Sequence, residues 1–338
     1  MSDVLIRVVN GVGRITLNRP RAINALTHPM VVAIRAALDE WEHDDRVRLV
    51  LVDGAGERGL CAGGDIRAIH ADAVAGGGES TAFWADEYRM NARIGGFPKP
   101  YVALMDGIVM GGGVGVSAHG SVRVVTERTR LAMPEVGIGL APDVGGTYLL
   151  SRAPGELGTY AAVTGTSMSG ADAVHCGLAD WFAPSDRLPE LIAEIEAAGE
   201  DVVARFAVEP PPSGLAKEAE WIDPAFTADT VEEILVGLAA SGQHDVIAEI
   251  GTRSPTAVKV ALEATRRAKR LPDLESVLEQ DYRVSTACLR GHDLVEGIRA
   301  QVVDKDRKPR WSPATLTDVT DEAVAAHFDE PEVPFTLR

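Results

Sequence analysis

The stretch Tyr101-Val102-Ala103-Leu104-Met105-Asp106-Gly107, continued by Met110-Gly111-Gly112-Gly113-Val114-Gly115, sets the class of fold. Its first five residues are apolar without a break, as expected of a strand covered on both faces. A glycine tract then leads into an Ala/Val/Ser stretch with helical character. Working outward, Val47 to Val52 and Val122 to Val125 read as two more covered strands. Upstream, Val4 to Val9 and Arg14 to Leu17 flank the turn dipeptide Asn10-Gly11 and predict a hairpin. Between them, Thr27 is placed to cap a helix through Met30, Ile34, Leu38 and Trp41, which recur about once per turn. Strands alternating with helices predict an α/β fold.

Beyond Pro189 the strand signal fades. Leu191 to Ala198, Val231 to Ala239, Thr256 to Ala268 and Leu274 to Leu289 read as helices between Pro and Gly breakers. The division expected is a core over residues 1–188 and a mainly helical region over 189–338. Pro210-Pro211-Pro212 reads as a loop or hinge. The acidic, Pro-punctuated tail after Trp311 reads as a surface extension.

Composition narrows the function. The chain has 338 residues, 46% hydrophobic and 25% charged, enough for a sizeable core. Its formal net charge of −17 argues against a nucleic-acid or membrane-surface partner, because phosphate attraction needs excess Lys and Arg. No apolar run approaches the roughly 18 residues of a membrane span. The three cysteines, Cys61, Cys176 and Cys288, are far apart and form no CxxC pair, so neither a disulfide framework nor a zinc ribbon is expected. No leader-like segment is read before the first strand, and a cytoplasmic location is expected.

Two familiar patterns are decoys. Gly54-Ala55-Gly56-Glu57-Arg58-Gly59 matches GxGxxG, but Gly63-Gly64 breaks the helix that a dinucleotide site must open. Gly115-Val116-Ser117-Ala118-His119 narrowly misses the nucleophile elbow, and Ser117 is read as a packing residue. No metal motif is present, and neither a metal nor a cofactor is expected.

Three segments remain. They are Leu60-Cys61-Ala62-Gly63-Gly64-Asp65-Ile66-Arg67, the glycine tract at 111–115, and Met133-Pro134-Glu135-Val136-Gly137-Ile138-Gly139-Leu140-Ala141-Pro142-Asp143-Val144-Gly145-Gly146. Amides of Gly111 to Gly113 at a helix start, and of Gly63-Gly64 in another loop, suit an anionic oxygen. Two such donors on one oxygen would form an oxyanion hole. The bland alternative is that these glycines only allow tight helix–strand packing.

With Asn18-Arg19-Pro20-Arg21-Ala22-Ile23-Asn24-Ala25-Leu26, these segments resemble the crotonase (enoyl-CoA hydratase/isomerase) superfamily. Within it they are most similar to the hydrolase branch acting on 3-hydroxyisobutyryl-CoA in valine breakdown. Phe83 to Tyr88 and the C-terminal run Arg290-Gly291-His292-Asp293 to Pro309-Arg310-Trp311 carry that finer resemblance. It implies a crotonase-like spiral of ββα repeats with a helical C-terminal region, and an acyl-CoA substrate. It also implies that Gly64 and Gly112 form the oxyanion hole, that Glu135 and Asp143 are catalytic, and that Glu87 contacts substrate. Arg21, Ala62, Asp65 and Ile66 would lie along the CoA moiety.

A hydratase of this superfamily carries a second catalytic glutamate where this chain has Gly115. Here Asp143 follows Glu135 by eight positions instead. Outside the resemblance, Glu135 reads as a loop or helix-start carboxylate and Asp143 as a cap for the helix after Gly145-Gly146. An enoyl-CoA hydratase/isomerase, or an inactive acyl-CoA-binding relative, are the competing functions. Homo-oligomerisation stays open.

Overall fold

The strands fall into two sheets because the ββα repeat divides its strands between them. The structure is a computed structural model and describes residues 2–76 and 78–337; Met1, Gly77 and Arg338 lie outside the described residues. The strands are β1 (Val4–Val9), β2 (Val12–Leu17), β3 (Leu49–Gly54), β4 (Gly59–Cys61) and β5 (Tyr101–Met105). They continue with β6 (Ile108–Met110), β7 (Val122–Val125), β8 (Arg130–Ala132), β9 (Met168–Ser169) and β10 (Trp181–Phe182). One sheet runs β1-β2-β3-β5-β7-β10 and the other β4-β6-β8-β9. Each repeat gives its first strand to the six-stranded sheet and its second to the four-stranded sheet: β3 then β4, β5 then β6, β7 then β8. That is the spiral the sequence implied.

Only the β1–β2 pair is antiparallel in the larger sheet; β2, β3, β5, β7 and β10 run parallel. Asn10 and Gly11 both take positive φ, which explains the turn dipeptide between β1 and β2.

The chain forms two compact units that interleave along the sequence: residues 1–64, 86–132 and 168–216 in the first, and 65–85, 133–167 and 217–338 in the second. Residue 188 therefore falls inside a segment of the first unit. After it, every described element is helical.

In the first unit the six-stranded sheet is covered on both faces. Val12, Leu49, Leu51, Val102, Leu104 and Val124 pack against Leu188, Leu191 and Ile195 of the helix Leu188–Ala198. On the other face Trp41, from the helix His28–Glu42, lies where a side chain on Gly13 would stand. Fully burying each such Leu, Ile or Val is worth about 1.5–3 kcal/mol, which accounts for the unbroken apolar runs. Arg14, almost buried on the sheet, is held by Asp53 at 2.5 Å and by Glu196. Thr27 does stand at the N-cap of the helix His28–Glu42, but its side chain accepts no capping hydrogen bond.

The second unit is built on helices with capped starts. Ser254 Oγ accepts from the Ala257 amide ahead of the helix Pro255–Ala268, and Asp273 caps the helix Leu274–Arg290 through the Ser276 amide. Tyr160 meets Trp221 and Phe226 edge-on, with centroids at 5.6 and 5.3 Å. The tail after Trp311 is not a surface extension. Phe335 stacks on Tyr282 at 4.4 Å, and Val319, Val324 and Phe328 are buried. Its acidic residues face outward, while apolar residues spaced among them dock.

Both decoys resolve as structure. No helix opens between Gly54 and Gly59, which merely join β3 to β4. Ser117 is fully buried and donates to the Gly113 carbonyl at 2.6 Å. The three cysteines are free and buried. No helix among the described residues is long and apolar enough to cross a membrane.

Candidate active site

The first unit holds the candidate residues Arg21, Ala62, Gly64, Glu87 and Gly112. Gly111 adopts φ 48° and ψ −119°, a conformation side chains disfavour, and this turns the chain from β6 into the four-residue helix Gly112–Gly115. Gly112 is as constrained by its neighbours as Gly111 is by its torsions. A Cβ there would stand 2.6 Å from Oε1 of Glu87, 3.2 Å from Leu26 and 3.3 Å from the amide nitrogen of Gly64. Gly112, Gly64 and Glu87 are therefore brought together around one small space. Glu87 is 2% exposed, and it comes from the helix Glu79–Gly95.

The loop that carries Gly64 is set by Asn24. Ile23 and Asn24 both lie in the left-handed region, and the buried Asn24 side chain accepts from the Arg19 amide and donates to the Ala55 and Gly59 carbonyls. The turn so formed takes two more bonds: Ala62 N–H to Ile23 O at 2.9 Å and Leu26 N–H to Gly63 O at 2.8 Å. This is the physical content of the Asn18 to Leu26 motif. It places Arg21, exposed in the turn Pro20–Ala22, on the segment that pairs with Ala62 and Gly63.

The second unit holds the candidate residues Asp65, Ile66, Glu135 and Asp143. Asp65 stands at the N-cap of the helix Ile66–Ala75, with no capping bond from its carboxylate, and Ile66 begins the helix. Glu135 opens the 3-10 turn Glu135–Ile138, which closes on left-handed Gly139, and the Leu140 amide returns to the Glu135 carbonyl at 3.1 Å. Asp143 starts a tight turn: Val144 and Gly145 both have positive φ, and the Gly146 amide bonds the Asp143 carbonyl at 2.6 Å. Glu135 and Asp143 are each 6% exposed. Holding carboxylates at such depth is costly unless the surroundings are arranged for it.

The Gly145 amide is bonded at 2.8 Å by Asp281, from the helix Leu274–Arg290, whose other oxygen lies 3.4 Å from the Thr147 hydroxyl. Asp281 is 1% exposed, and burial, reinforced by the charge of Asp143, pushes its pKa well above the usual carboxylate range. The sequence reading missed it. The available signal was an acid on the same helix face as Leu278, Ser285 and Cys288. Asp293 was noticed only as part of a motif. It is a clasp, accepting from Ser254 Oγ at 2.6 Å and from the Ser312 amide at 2.8 Å.

The comparisons with known proteins agree with this architecture. The model of one family, enoyl-CoA hydratase/isomerase, matches residues 12–328. The chain belongs to this family. Among curated enoyl-CoA hydratase/isomerase relatives it is 41% identical to the mitochondrial 3-hydroxyisobutyryl-CoA hydrolase of Danio rerio, over 97% of this chain and 89% of that one. It is also similar to two crystal structures. A carnitinyl-CoA dehydratase from Mycobacterium thermoresistibile is 56% identical with TM-score 0.97, covering 99% of both chains. An enoyl-CoA hydratase from Rhodobacter sphaeroides 2.4.1 is 42% identical with TM-score 0.92, covering 97% of both. The names of these family members point to two chemistries, water attack on a thioester and water addition or loss at a double bond. Gly115 is buried at the end of the Gly112–Gly115 helix.

Proposed function

We propose that this protein hydrolyses a short 3-hydroxyacyl-CoA thioester, 3-hydroxyisobutyryl-CoA in the first instance, to the free acid and CoA. The observation that carries the reading is the carboxylate set. Glu135 and Asp143 are both nearly buried, while the position where hydratases of the family carry their second glutamate is Gly115. In the proposed reaction the Gly64 and Gly112 amides take the thioester oxygen, each worth roughly 3–4 kcal/mol as negative charge develops there. Glu135 either attacks the carbonyl carbon or removes a proton from the water that does. Asp143 delivers a proton to the departing thiolate. Glu87 takes the 3-hydroxyl, and Arg21, Ala62, Asp65 and Ile66 line the CoA moiety. No metal or cofactor enters, and the reaction belongs to valine breakdown.

A cytoplasmic location and a homo-oligomeric assembly are part of the proposal. The curated relatives are named mitochondrial, and fractionation with gel filtration addresses both points.

The second reading is a hydratase or dehydratase, favoured by the names of the two similar crystal structures. A thiol-trapping assay over short 3-hydroxyacyl-CoAs, run beside crotonyl-CoA hydration, separates the two. Release of CoASH with slow or absent hydration supports the hydrolase. Rapid hydration without thiol release from any 3-hydroxyacyl-CoA replaces it with the second reading.

A further inference from the structure

The turn that carries Asp143 has an unusual backbone. Two successive residues, Val144 and Gly145, have positive φ, and Val144 is β-branched, a residue type for which that region is strained. Such a conformation persists only where surrounding contacts over-determine it. One face of the helix Leu274–Arg290 supplies contacts to it. Cys288 lies at the Ala141 backbone, two residues before Asp143, and its burial pushes the thiol up to about 12. Asp281 takes the Gly145 amide at 2.8 Å, two residues after Asp143, and lies 3.4 Å from the Thr147 hydroxyl. Ser285, fully buried, occupies the helical turn between them.

We propose that Asp281 is the positioning residue of Asp143, holding the Val144–Gly145 turn so that the Asp143 carboxylate is presented in a single orientation. The inference deepens the hydrolase reading and rests on Asp143 being its acid. The electrostatics fit. A buried Asp281 that keeps its proton serves the turn as a neutral group. A neutral amide of the same shape can then replace it, whereas an apolar side chain of similar volume cannot.

The test compares Asp281→Leu, Asp281→Asn, Asp143→Asn and the double variant Asp281→Leu/Asp143→Asn, each checked for an intact cooperative melt. Misplacing a catalytic group by about 1 Å can cost about 10²-fold, so Asp281→Leu is expected to lose about that factor in kcat with KM changed less than about threefold. Asp281→Asn is expected to recover kcat to within about fivefold of wild type. In the Asp143→Asn background, Asp281→Leu is expected to cost less than about threefold more, since the residue acts through Asp143. Three results overturn the proposal: equal losses in both backgrounds, a loss in KM rather than kcat, or an Asp281→Asn variant as inactive as Leu. If Asp281→Leu does not fold, the Asn variant still decides, because a folded but inactive Asp281→Asn contradicts it. Full activity in Asp143→Asn removes the acid assignment and this inference together. An impaired Asp143→Asn beside an active Asp281→Leu removes this inference alone.

Discussion

The two units solve the same problem, holding charge away from water, with different materials. The first offers backbone: amides on loops whose glycines leave no room for a side chain. The second offers carboxylates, Glu135 and Asp143, both nearly buried. A buried aspartate in each makes the contrast concrete. Asp172, in the first unit, is nearly buried, yet donors from Ser213 Oγ, the Leu215 amide and Ser169 outweigh that burial and hold its pKa below the ordinary value. Asp281, in the second, has fewer donors, and its burial wins, so it keeps its proton. Depth alone does not set the charge of a buried acid. Burial, neighbouring charge and the donors facing it set it together.

If the side-chain half carries the chemistry, the largest loss comes from there. Glu135→Gln keeps the shape and removes the base or nucleophile, and kcat is expected to fall at least about 10²-fold with an unchanged melt. Activity within a few-fold of wild type would take Glu135 out of the reaction. The backbone half is probed by Gly112→Ala, which keeps the amide but sets a methyl 2.6 Å from Glu87 Oε1. At least about a tenfold loss of kcat is expected, since the neighbours must move by fractions of an ångström. A fully active Ala variant would show that Gly112 and Glu87 do not share the reacting space.

The contrast in charge gives two smaller, opposite effects. Asp172→Asn weakens several bonds to an ionised acceptor and is expected to cost about 1–3 kcal/mol at neutral pH. Because the folded pKa is lowered, that stability is present above the unfolded value and is lost as pH falls, so wild type and variant melts should converge in acid. Asp281 has the reverse sign. Its folded pKa is raised, so wild type loses stability as pH climbs above the unfolded value of about 3.8. The Tm of Asp281→Asn minus that of wild type should therefore rise between about pH 4 and pH 7. A flat difference would mean that Asp281 is ionised in the folded protein.

Much of this was legible in the sequence, and the exceptions have physical reasons. Tyr101–Met105 and Val122–Val125 were read at their observed limits, because a doubly covered strand leaves an unbroken apolar run. Four C-terminal helices were placed within a few residues for the matching reason of 3.6-residue periodicity, while the helix Gly214–Phe226 was missed. The second strands of the repeats, β4, β6 and β8, are three residues long, too short to show any period. The glycine loops could be read because only glycine fits where Gly111 and Gly112 stand. Asp281 shows in the sequence only as an acid on a buried helix face: its partner turn lies more than 130 residues away, and local pattern carries no such pairing. The docked tail was misread for the same reason, since Phe335 stacks on Tyr282, more than 50 residues away.

The central claim is that the thioester is hydrolysed, with no water added to or lost from a carbon–carbon double bond. Incubating the wild-type protein with 3-hydroxyisobutyryl-CoA in heavy-oxygen water and weighing the products by mass spectrometry tests it directly. The account predicts free CoASH in equal amount to 3-hydroxyisobutyrate, the acid carrying one heavy oxygen in its carboxyl group. An intact thioester that has lost water to give methacrylyl-CoA, with no CoASH released, would contradict it.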